Sequence, residues 1–126
     1  MRIASILENR NLEKRIAITP EIAKKYIALG CELSLSENYG EHLGFKDKEY
    51  RELGVKISKD DKEIINSADV IVQLGLLPND KISSIKANQT LIGVFNPYDN
   101  KSKIDDLVKD KINIFSLANI STPNSL

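Results

Sequence analysis

Few side chains in this sequence have the type and the position that chemistry requires. Arg15 stands after a polar stretch and shortly before Thr19 and Pro20. Thr19 suits a helix N-cap and Pro20 suits the first helical position. Arg15 would then lie near the positive end of a helix, where a guanidinium can bind a carboxylate or a phosphate. A surface ion pair with Glu13 or Glu8 explains Arg15 equally well, and the sequence leaves both interpretations open.

The other candidates are polar residues near the ends of apolar runs. Gln73, Asn96 and Asn100 can orient a ligand there, but amides do not transfer protons well at neutral pH. His42 lies in a polar loop, where a solvated histidine is commoner than a general base. Cys31 follows a predicted helix end and is expected to be buried and inert. The sequence therefore offers no evident catalyst.

Carboxylates and metal ligands add no site. A solvated surface accounts for the aspartates on predicted helix faces and caps, which are Asp47, Asp60, Asp61, Asp105, Asp106 and Asp110. One histidine and one cysteine supply neither a cluster of soft metal ligands nor an internal disulfide. The chain also has no G-x-G-x-x-G, Walker A or G-x-S-x-G sequence. We therefore predict no catalytic residue and no metal ligand.

Composition narrows the class of protein. The 126 residues include 18 Lys+Arg and 18 Asp+Glu, so the net charge is zero and no basic footprint for nucleic acid is present. The hydrophobic share of 41% and the charged share of 29% are typical of a folded domain. No stretch has the length of a signal peptide core or of a membrane span. We expect one soluble, cytoplasmic domain over residues 1–126.

Short apolar runs alternate with segments of helical period. Strands are predicted over 2–7, 32–36, 55–57, 70–77, 90–95 and 112–117. Helices are predicted over 20–29, 47–53, 79–85 and 100–109, with a further helix that starts at Asp60 or Asp61 and runs through 65. The run 70–77 is apolar throughout, as a central parallel strand buried on both faces requires. The tail 118–126 has no partner element.

This alternation predicts an α/β fold of three layers. Its mostly parallel open sheet would be flanked by helices, in a flavodoxin-like or Rossmann-like arrangement that lacks the glycine-rich dinucleotide fingerprint. Ligands of such sheets bind at the carboxyl ends of the strands. We therefore expect any site in the loops after Leu7, after Ser36, at 75–79, at 96–100 and after Leu117.

The beginning of the chain carries a family resemblance. Arg15 to Pro20 reads R-I-A-I-T-P, and the helix that follows ends in Leu29-Gly30. Both features resemble the N-terminal domain shared by alanine dehydrogenases and the alpha subunit of proton-translocating NAD(P) transhydrogenase. Further matches follow in register, including Ala68 to Val72, and the resemblance extends over nearly the whole chain. It implies that the chain stops before the NAD-binding Rossmann domain of that family.

Two positions separate the branches of this family. Alanine dehydrogenases have a catalytic histidine where this chain has Asn96, and a lysine that binds the keto acid where it has Gly75. Arg15 is common to both branches and does not discriminate. The resemblance is therefore closer to the transhydrogenase branch.

The resemblance also implies residues for cofactor binding. The transhydrogenase has a loop with an arginine and a glutamine that helps to hold the nicotinamide, and these align with Asn119 and Asn124. With Arg15 and Gln73, they are the residues that the resemblance assigns to the cofactor. Neutral asparagines keep hydrogen-bonding capacity but lose charge. NAD is therefore expected only in the full assembly, and no cofactor is expected in this chain alone.

The implied function is a share in an oxidoreductase that transfers hydride between NADH and NADP. The chain would be inactive alone and would work with the remaining transhydrogenase subunits or domains, which would hold it at the inner membrane. A homodimer is a further expected partner. A non-catalytic remnant or interaction module of the same fold is the alternative, and an alanine dehydrogenase-like enzyme is less consistent with Asn96 and Gly75.

Overall fold

The computed structural model describes residues 1–9, 11, 13–75, 77–93 and 101–116. Six parallel strands form one sheet in the order β3-β2-β1-β4-β5-β6. The strands are β1 (Arg2–Ser5), β2 (Glu32–Ser36), β3 (Lys56–Ser58), β4 (Val70–Gln73), β5 (Thr90–Gly93) and β6 (Asn113–Ser116). The helices are α1 (Pro20–Ala28), α2 (Asp47–Glu52), α3 (Asp61–Ser67), α4 (Asn79–Ile82) and α5 (Lys101–Lys109), and a short 3-10 turn covers Glu41–Leu43.

The predicted α/β fold is confirmed. Of the two arrangements that the sequence left open, the observed strand order is that of Rossmann-like sheets, whereas flavodoxin-like sheets have β1 beside β3. The chain first builds outward from β1 to β3 and then crosses back to place β4 on the other side of β1. The carboxyl ends of β1 and β4 therefore form the switch point where such sheets bind ligands.

Helix ends follow the predicted signals. Thr19 is the N-cap of α1 and accepts a hydrogen bond from the Ile22 amide, and Pro20 is the first helical residue. Gly30 follows the helix with φ +87°, a conformation that a residue without a Cβ adopts readily. Asp60 caps α3 by accepting from the Glu63 amide.

The core consists of two apolar clusters on opposite faces of the sheet. On one face α1 and α2 cover a cluster made of Ile3, Ile16, Ile18, Ala23, Leu33, Leu35, Tyr39, Tyr50 and Val55. On the other face α3, α4 and α5 cover a cluster made of Ala4, Ile6, Ile64, Ile65, Ala68, Ile71, Leu77, Ile85, Leu91, Leu107 and Ile112. Consecutive residues of β1 contribute to different clusters because side chains alternate along a strand.

Two predicted strands end earlier than expected. The strand predicted over 2–7 ends at Ser5, because the Ile6 amide donates to the Gln73 side chain and the Leu7 amide donates to the Ser36 hydroxyl. The strand predicted over 70–77 ends at Gln73 for a similar reason, since the next two amides donate to a side chain described below. At the switch point, hydrogen bonds from backbone amides to side chains thus replace the hydrogen bonds between strand backbones.

Smaller corrections concern burial and boundaries. Val70 and Val72 are half-buried, so β4 is central in the sheet but is not enclosed on both faces. Cys31 is also half-buried rather than buried, because it lies at the rim where α1 ends. The helix predicted over 79–85 is the single turn α4.

The predicted tail 118–126 lies outside the described residues. Among the helices of the described part, none has the length and the apolar character of a membrane span.

Candidate functional site

Glu8 joins the carboxyl ends of β1 and β4. Its Oε2 accepts hydrogen bonds from the Leu74 amide at 2.8 Å and from Gln73 Nε2 at 2.9 Å, and its Oε1 accepts from the Gly75 amide at 3.0 Å. The Glu8 side chain is buried. We call Glu8, Gln73, Leu74 and Gly75 the switch-point cluster. It fixes the loop after β4 against the loop after β1.

The charge state of Glu8 depends on two opposing effects. Burial raises the pKa of Glu8 above its ordinary value of 4.5, and the nearby carboxylate of Glu13 raises it further. The amides of Leu74 and Gly75 lower this pKa, because they donate hydrogen bonds to the charged form. Burial is the larger effect, so the pKa remains raised. Glu8 is therefore a buried acid at the place where ligands of this fold bind.

Both the oxygen and the nitrogen of the Gln73 side-chain amide make hydrogen bonds within the chain. Its Oε1 accepts from the Ile6 amide at 2.6 Å, and its Nε2 donates to the Ile6 carbonyl at 3.1 Å as well as to Glu8. Gln73 is 1% exposed. This arrangement orients the Glu8 carboxylate and joins the ends of β1 and β4 by hydrogen bonds. Gln73 therefore positions other groups of the candidate site.

A buried relay of hydrogen bonds connects this cluster to the segment that follows Arg15. The Ile18 amide donates to the Tyr39 hydroxyl at 3.2 Å, and Tyr39 in turn lies 2.8 Å from the hydroxyl of Ser5. Ser5 also bonds the Val72 carbonyl. The Ser5 hydroxyl also donates to Gln73 Oε1 at 3.1 Å, and this contact links the relay to the switch-point cluster. Burial raises the pKa of Tyr39 to about 12, so its hydroxyl keeps the hydrogen that the relay needs.

Arg15 is exposed and pairs with Glu13. The Nε–Oε2 distance is 3.0 Å and the Nη2–Oε1 distance is 2.8 Å, a two-pronged pair that lowers the pKa of Glu13. His42 holds the same loop, since its Nε2 lies 2.7 Å from the Lys14 carbonyl. The sequence left Glu13 and Glu8 open as ion-pair partners of Arg15, and in the structure Arg15 pairs with Glu13. The guanidinium remains available to an anion, because exposed ion pairs contribute little and exchange partners readily.

Two of the four predicted cofactor residues, Arg15 and Gln73, lie in the described part of the chain. Arg15, on the loop before α1, and Gln73, the last residue of β4, lie at the same edge of the sheet, yet within the described residues no hydrogen bond joins them. The link between them is indirect, since Glu13 lies close enough to Glu8 to affect its pKa. Asn119 and Asn124 lie outside the described residues, as do Asn96 and Asn100. The assignment of Arg15, Gln73, Asn119 and Asn124 to a cofactor stays a prediction.

Sequence reasoning missed the central residue of the site. It considers Glu8 only as a surface partner of Arg15, whereas the carboxylate is buried and has three donors. One signal is present, since Glu8 follows an apolar run that the pattern predicts to be a strand. Asp61 is a second case, because it accepts from the Ser36 hydroxyl at 2.7 Å instead of lying on a solvated face.

A cavity of about 220 Å³ lies at the opposite edge of the sheet. Its lining includes the first residues of β1, β2 and β3, which are Arg2, Glu32 and Lys56, and it continues along α3. Arg2 and Glu32 neutralise each other there in an exposed ion pair of 3.1 Å. Lys56 is the remaining charged side chain of this lining, and the cavity is separate from the switch-point cluster.

The described residues do not fit a complete dinucleotide. Rossmann domains hold the pyrophosphate on a glycine-rich turn between the first strand and the first helix. Here the segment 6–19 between β1 and α1 contains no glycine, and the buried carboxylate of Glu8 occupies its start. A carboxylate at this place repels phosphate. In the described part of the chain no three metal-ligating side chains come together.

Comparison with known proteins gives a consistent family. The profile described as "Alanine dehydrogenase/PNT, N-terminal domain" matches residues 6–125. Among curated proteins, an NAD(P) transhydrogenase alpha-subunit protein of Rickettsia prowazekii is 33% identical over 121 residues. That match covers 93% of this chain but only 32% of the relative. The chain therefore spans about a third of the length of this relative.

Solved structures share the fold. An L-alanine dehydrogenase superposes with a TM-score of 0.88 at 17% identity, covering 100% of this chain and 35% of the other. A transhydrogenase from Sinorhizobium meliloti superposes with a TM-score of 0.82 at 24% identity, covering 91% of this chain and 34% of the other. At such identities these likenesses establish the architecture alone.

Proposed function

Since this chain belongs to the alanine dehydrogenase/PNT N-terminal domain family, we propose that it is the N-terminal region of a transhydrogenase alpha subunit. The proposed reaction is hydride transfer between NADH and NADP by the complete assembly. The observation that carries the proposal is the similarity to the Rickettsia prowazekii protein, which is named as a transhydrogenase subunit and matches 93% of this chain.

The local chemistry supports the transhydrogenase branch over the dehydrogenase branch. The resemblance places Gly75 where alanine dehydrogenases have a lysine for the keto acid. In this chain the Gly75 amide donates to Glu8, and a Cβ at that position would lie 3.4 Å from Glu8 Oε1. The Glu8 carboxylate thus occupies the space beside Gly75. Among the described residues no cationic side chain lies at this position to bind a keto acid.

In this proposal the chain supplies a scaffold and one anion-binding group. The switch-point cluster would fix the loops that face the nicotinamide, and Arg15 would exchange Glu13 for a negatively charged group. A companion nucleotide-binding domain would hold most of NAD, because the segment 6–19 has no pyrophosphate turn. Asn119 and Asn124 would add neutral hydrogen bonds to the nicotinamide. The chain would lie in the cytoplasm, held at the inner membrane by partner subunits.

A hybrid protein tests the proposed reaction. This chain would replace the matching region of the Rickettsia prowazekii relative, and hydride transfer from NADH to an NADP analogue would be measured with the remaining subunits present. We expect activity in the hybrid and a loss of about tenfold in Arg15→Ala, which removes a charge-assisted contact. Arg51→Ala is the matched control, since Arg51 is exposed on α2. A folded but inactive hybrid would contradict the proposal.

A second measurement concerns the isolated chain. Titration of NADH into it by calorimetry should show no binding in the low micromolar range, because the pyrophosphate turn is missing. Binding at that level would overturn the view that a companion domain is required.

The alternative function is that of an interaction module that has lost its enzyme. It is favoured by the switch-point cluster itself, in which the hydrogen bonds of Glu8 and Gln73 are made within the chain. An inactive hybrid that still assembles with the other subunits would support this alternative.

A further inference from the structure

His42 lies in a tight turn between β2 and α2. The short 3-10 turn Glu41–Leu43 ends at Gly44, whose φ of +88° is one that glycine adopts readily and whose amide donates back into the turn at 3.0 Å. The Phe45 amide donates to the Gly40 carbonyl, also at 3.0 Å. These two backbone hydrogen bonds close the turn, so the His42 side chain starts from a fixed backbone.

This turn packs closely against the residue that follows Arg15. A Cβ at Gly40 would lie 3.1 Å from the Tyr50 hydroxyl and 3.2 Å from Ile16 Cδ1, so glycine lets the turn come this near without a shift of its neighbours. Ile16 is buried. The distance between the turn and the backbone at Arg15 is therefore set by packing.

The ion pair of Arg15 with Glu13 does not by itself fix the guanidinium relative to the sheet. Arg15 is exposed, and the carboxylate that it binds lies only two residues earlier on the same stretch. The Glu13 amide donates to the Asn9 carbonyl, which belongs to the same connection between β1 and α1. Within the described residues, the hydrogen bond that ties this stretch to another part of the chain comes from His42, whose Nε2 lies 2.7 Å from the Lys14 carbonyl.

The Lys14 carbonyl and the Arg15 amide belong to one peptide unit, which is planar and trans. The two groups point in opposite directions, so a hydrogen bond to the carbonyl also fixes the direction of the N–H group. That N–H group donates to Glu13 Oε2 at 3.0 Å, and the same oxygen accepts from Arg15 Nε at 3.0 Å. The contact of His42 is thus transmitted through a rigid peptide unit to the carboxylate, and from the carboxylate to the guanidinium.

The direction of the His42 hydrogen bond follows from its partner. A carbonyl oxygen only accepts, so His42 Nε2 must carry a hydrogen whichever charge the ring has. A glutamine side chain can place an N–H group at a similar distance from the backbone, whereas phenylalanine keeps a ring and has no donor. These two replacements therefore separate the donor from the ring.

We propose that His42 is a positioning residue for Arg15, which it holds ready for an anionic group through the Lys14 carbonyl. This inference rests on the proposed function, in which Arg15 exchanges Glu13 for a negatively charged group. His42 does not touch that group and acts through Arg15. A preorganised side chain loses less conformational entropy on binding, so loss of the His42 donor weakens the exchange while the charge of Arg15 remains.

NMR relaxation of the isolated chain tests the contact itself. In His42→Phe we expect lower order parameters for the Arg15 Nε–H group and for the Arg15 backbone amide, which should fall below about 0.6. The Ile18 amide should keep its value, because it is held separately by a tyrosine. His42→Gln should keep the Arg15 values of wild type, and Glu41→Gln, which changes the neighbouring exposed residue, is the matched control.

Three results of this measurement would overturn the proposal. The first is an unchanged Arg15 in His42→Phe. The second is an equal fall in His42→Gln or in Glu41→Gln, which would show that the donor is not the cause. The third is a fall that includes Ile18, which would show that the whole connection before α1 has loosened.

A cycle of substitutions in the hybrid protein tests the consequence for the reaction. We expect His42→Phe to lower the rate of hydride transfer by about threefold, as the ordering of one side chain allows, and His42→Gln to restore most of it. Combined with Arg15→Ala, His42→Phe should cause no further loss, because the group that it positions is gone. Losses that multiply in full would contradict the positioning role.

The two measurements separate this inference from the proposed function. An inactive hybrid, or an active hybrid in which Arg15→Ala costs nothing, would contradict the function proposed for Arg15. The relaxation measurement uses no nucleotide and no partner subunit, so it decides in either case whether His42 holds Arg15.

Discussion

Glu8 illustrates how one buried carboxylate can organise a switch point. Its two oxygens accept two backbone amides and one side-chain amide, all from the end of β4. Without Glu8 these donors would be unpaired where the hydrogen bonds between the strands end. A buried donor without an acceptor lowers the stability of the fold. Glu8 therefore stabilises the loop after β4 even though its own burial disfavours the charge.

Replacing the acid by its amide should show this role. We expect Glu8→Gln to lower the free energy of unfolding by about 1–3 kcal/mol at neutral pH, because the new NH2 group faces a donor. Urea denaturation measures the change. Glu52→Gln, on the exposed surface of α2, should stay within about 0.5 kcal/mol of wild type. Equal effects of the two substitutions would show that the hydrogen bonds of Glu8 contribute nothing specific.

The pKa of Glu8 gives a pH dependence with a definite sign. Because burial raises this pKa above 4.5, the folded chain holds the proton more tightly than the unfolded chain. The stabilisation from this linkage is present below pH 4.5 and is lost as the pH rises through the raised pKa. The stability difference between wild type and Glu8→Gln should therefore shrink as the pH rises from 4.5 towards neutral. A difference that grows over this range would contradict the direction of the shift.

At the scale of elements, two tyrosines hold the segment after Arg15. Tyr39 accepts from the Ile18 amide, while Tyr50 donates to the Ile18 carbonyl at 2.8 Å. Their rings pack edge to face, with centroids 6.1 Å apart. One residue of the loop is thus held through both its backbone groups. This fixes the backbone three residues after Arg15.

The two hydroxyls can be separated by matched substitutions. Tyr39→Phe leaves the Ile18 amide without its acceptor, and we expect a loss of about 1–3 kcal/mol together with faster hydrogen exchange at that amide. Tyr50→Phe removes the bond to the carbonyl but keeps the amide paired, so exchange at Ile18 should follow only the change in global stability. Similar local exchange in both variants would show that the relay through Tyr39 does not hold the loop.

At the scale of the whole molecule, the sheet joins two apolar clusters into one cooperative unit. β1 contributes Ile3 to one cluster and Ala4 to the other, so neither cluster can melt while the other keeps its strands. The hydrogen bonds around Glu8 add a second connection between β1 and β4. We infer that the chain unfolds as one unit.

A pair of conservative core substitutions tests this cooperativity. Ile18→Val affects the cluster under α1, and Ile65→Val affects the cluster under α3, and both isoleucines are fully buried. Each should lower stability by about 0.5–1.5 kcal/mol and keep a single thermal transition that far-UV and near-UV circular dichroism report together. Two separate transitions in either variant would show that the clusters fold independently.

The fold was largely predictable because its signals are local. Thr19, Pro20 and Gly30 mark a helix by the backbone conformations they favour, and Asp60 marks another. The apolar runs between such helices lead to parallel strands, since a crossover helix favours that connection. The strand ends at Ser5 and Gln73 were not predictable, because there a distant side chain takes the place of the ladder.

The sequence by itself determined the α/β class, the helix caps and the family likeness, since each depends on neighbouring residues or on order along the chain. Only the tertiary structure decided that Arg15 pairs with Glu13 and that Glu8 is buried among the amides of β4. Glu8 and Leu74 are far apart in sequence, and the crossover from β3 to β4 brings them together. A glutamate is the same residue in the sequence whether its carboxylate is solvated or buried. Only the packing of the folded chain determines which of the two it is.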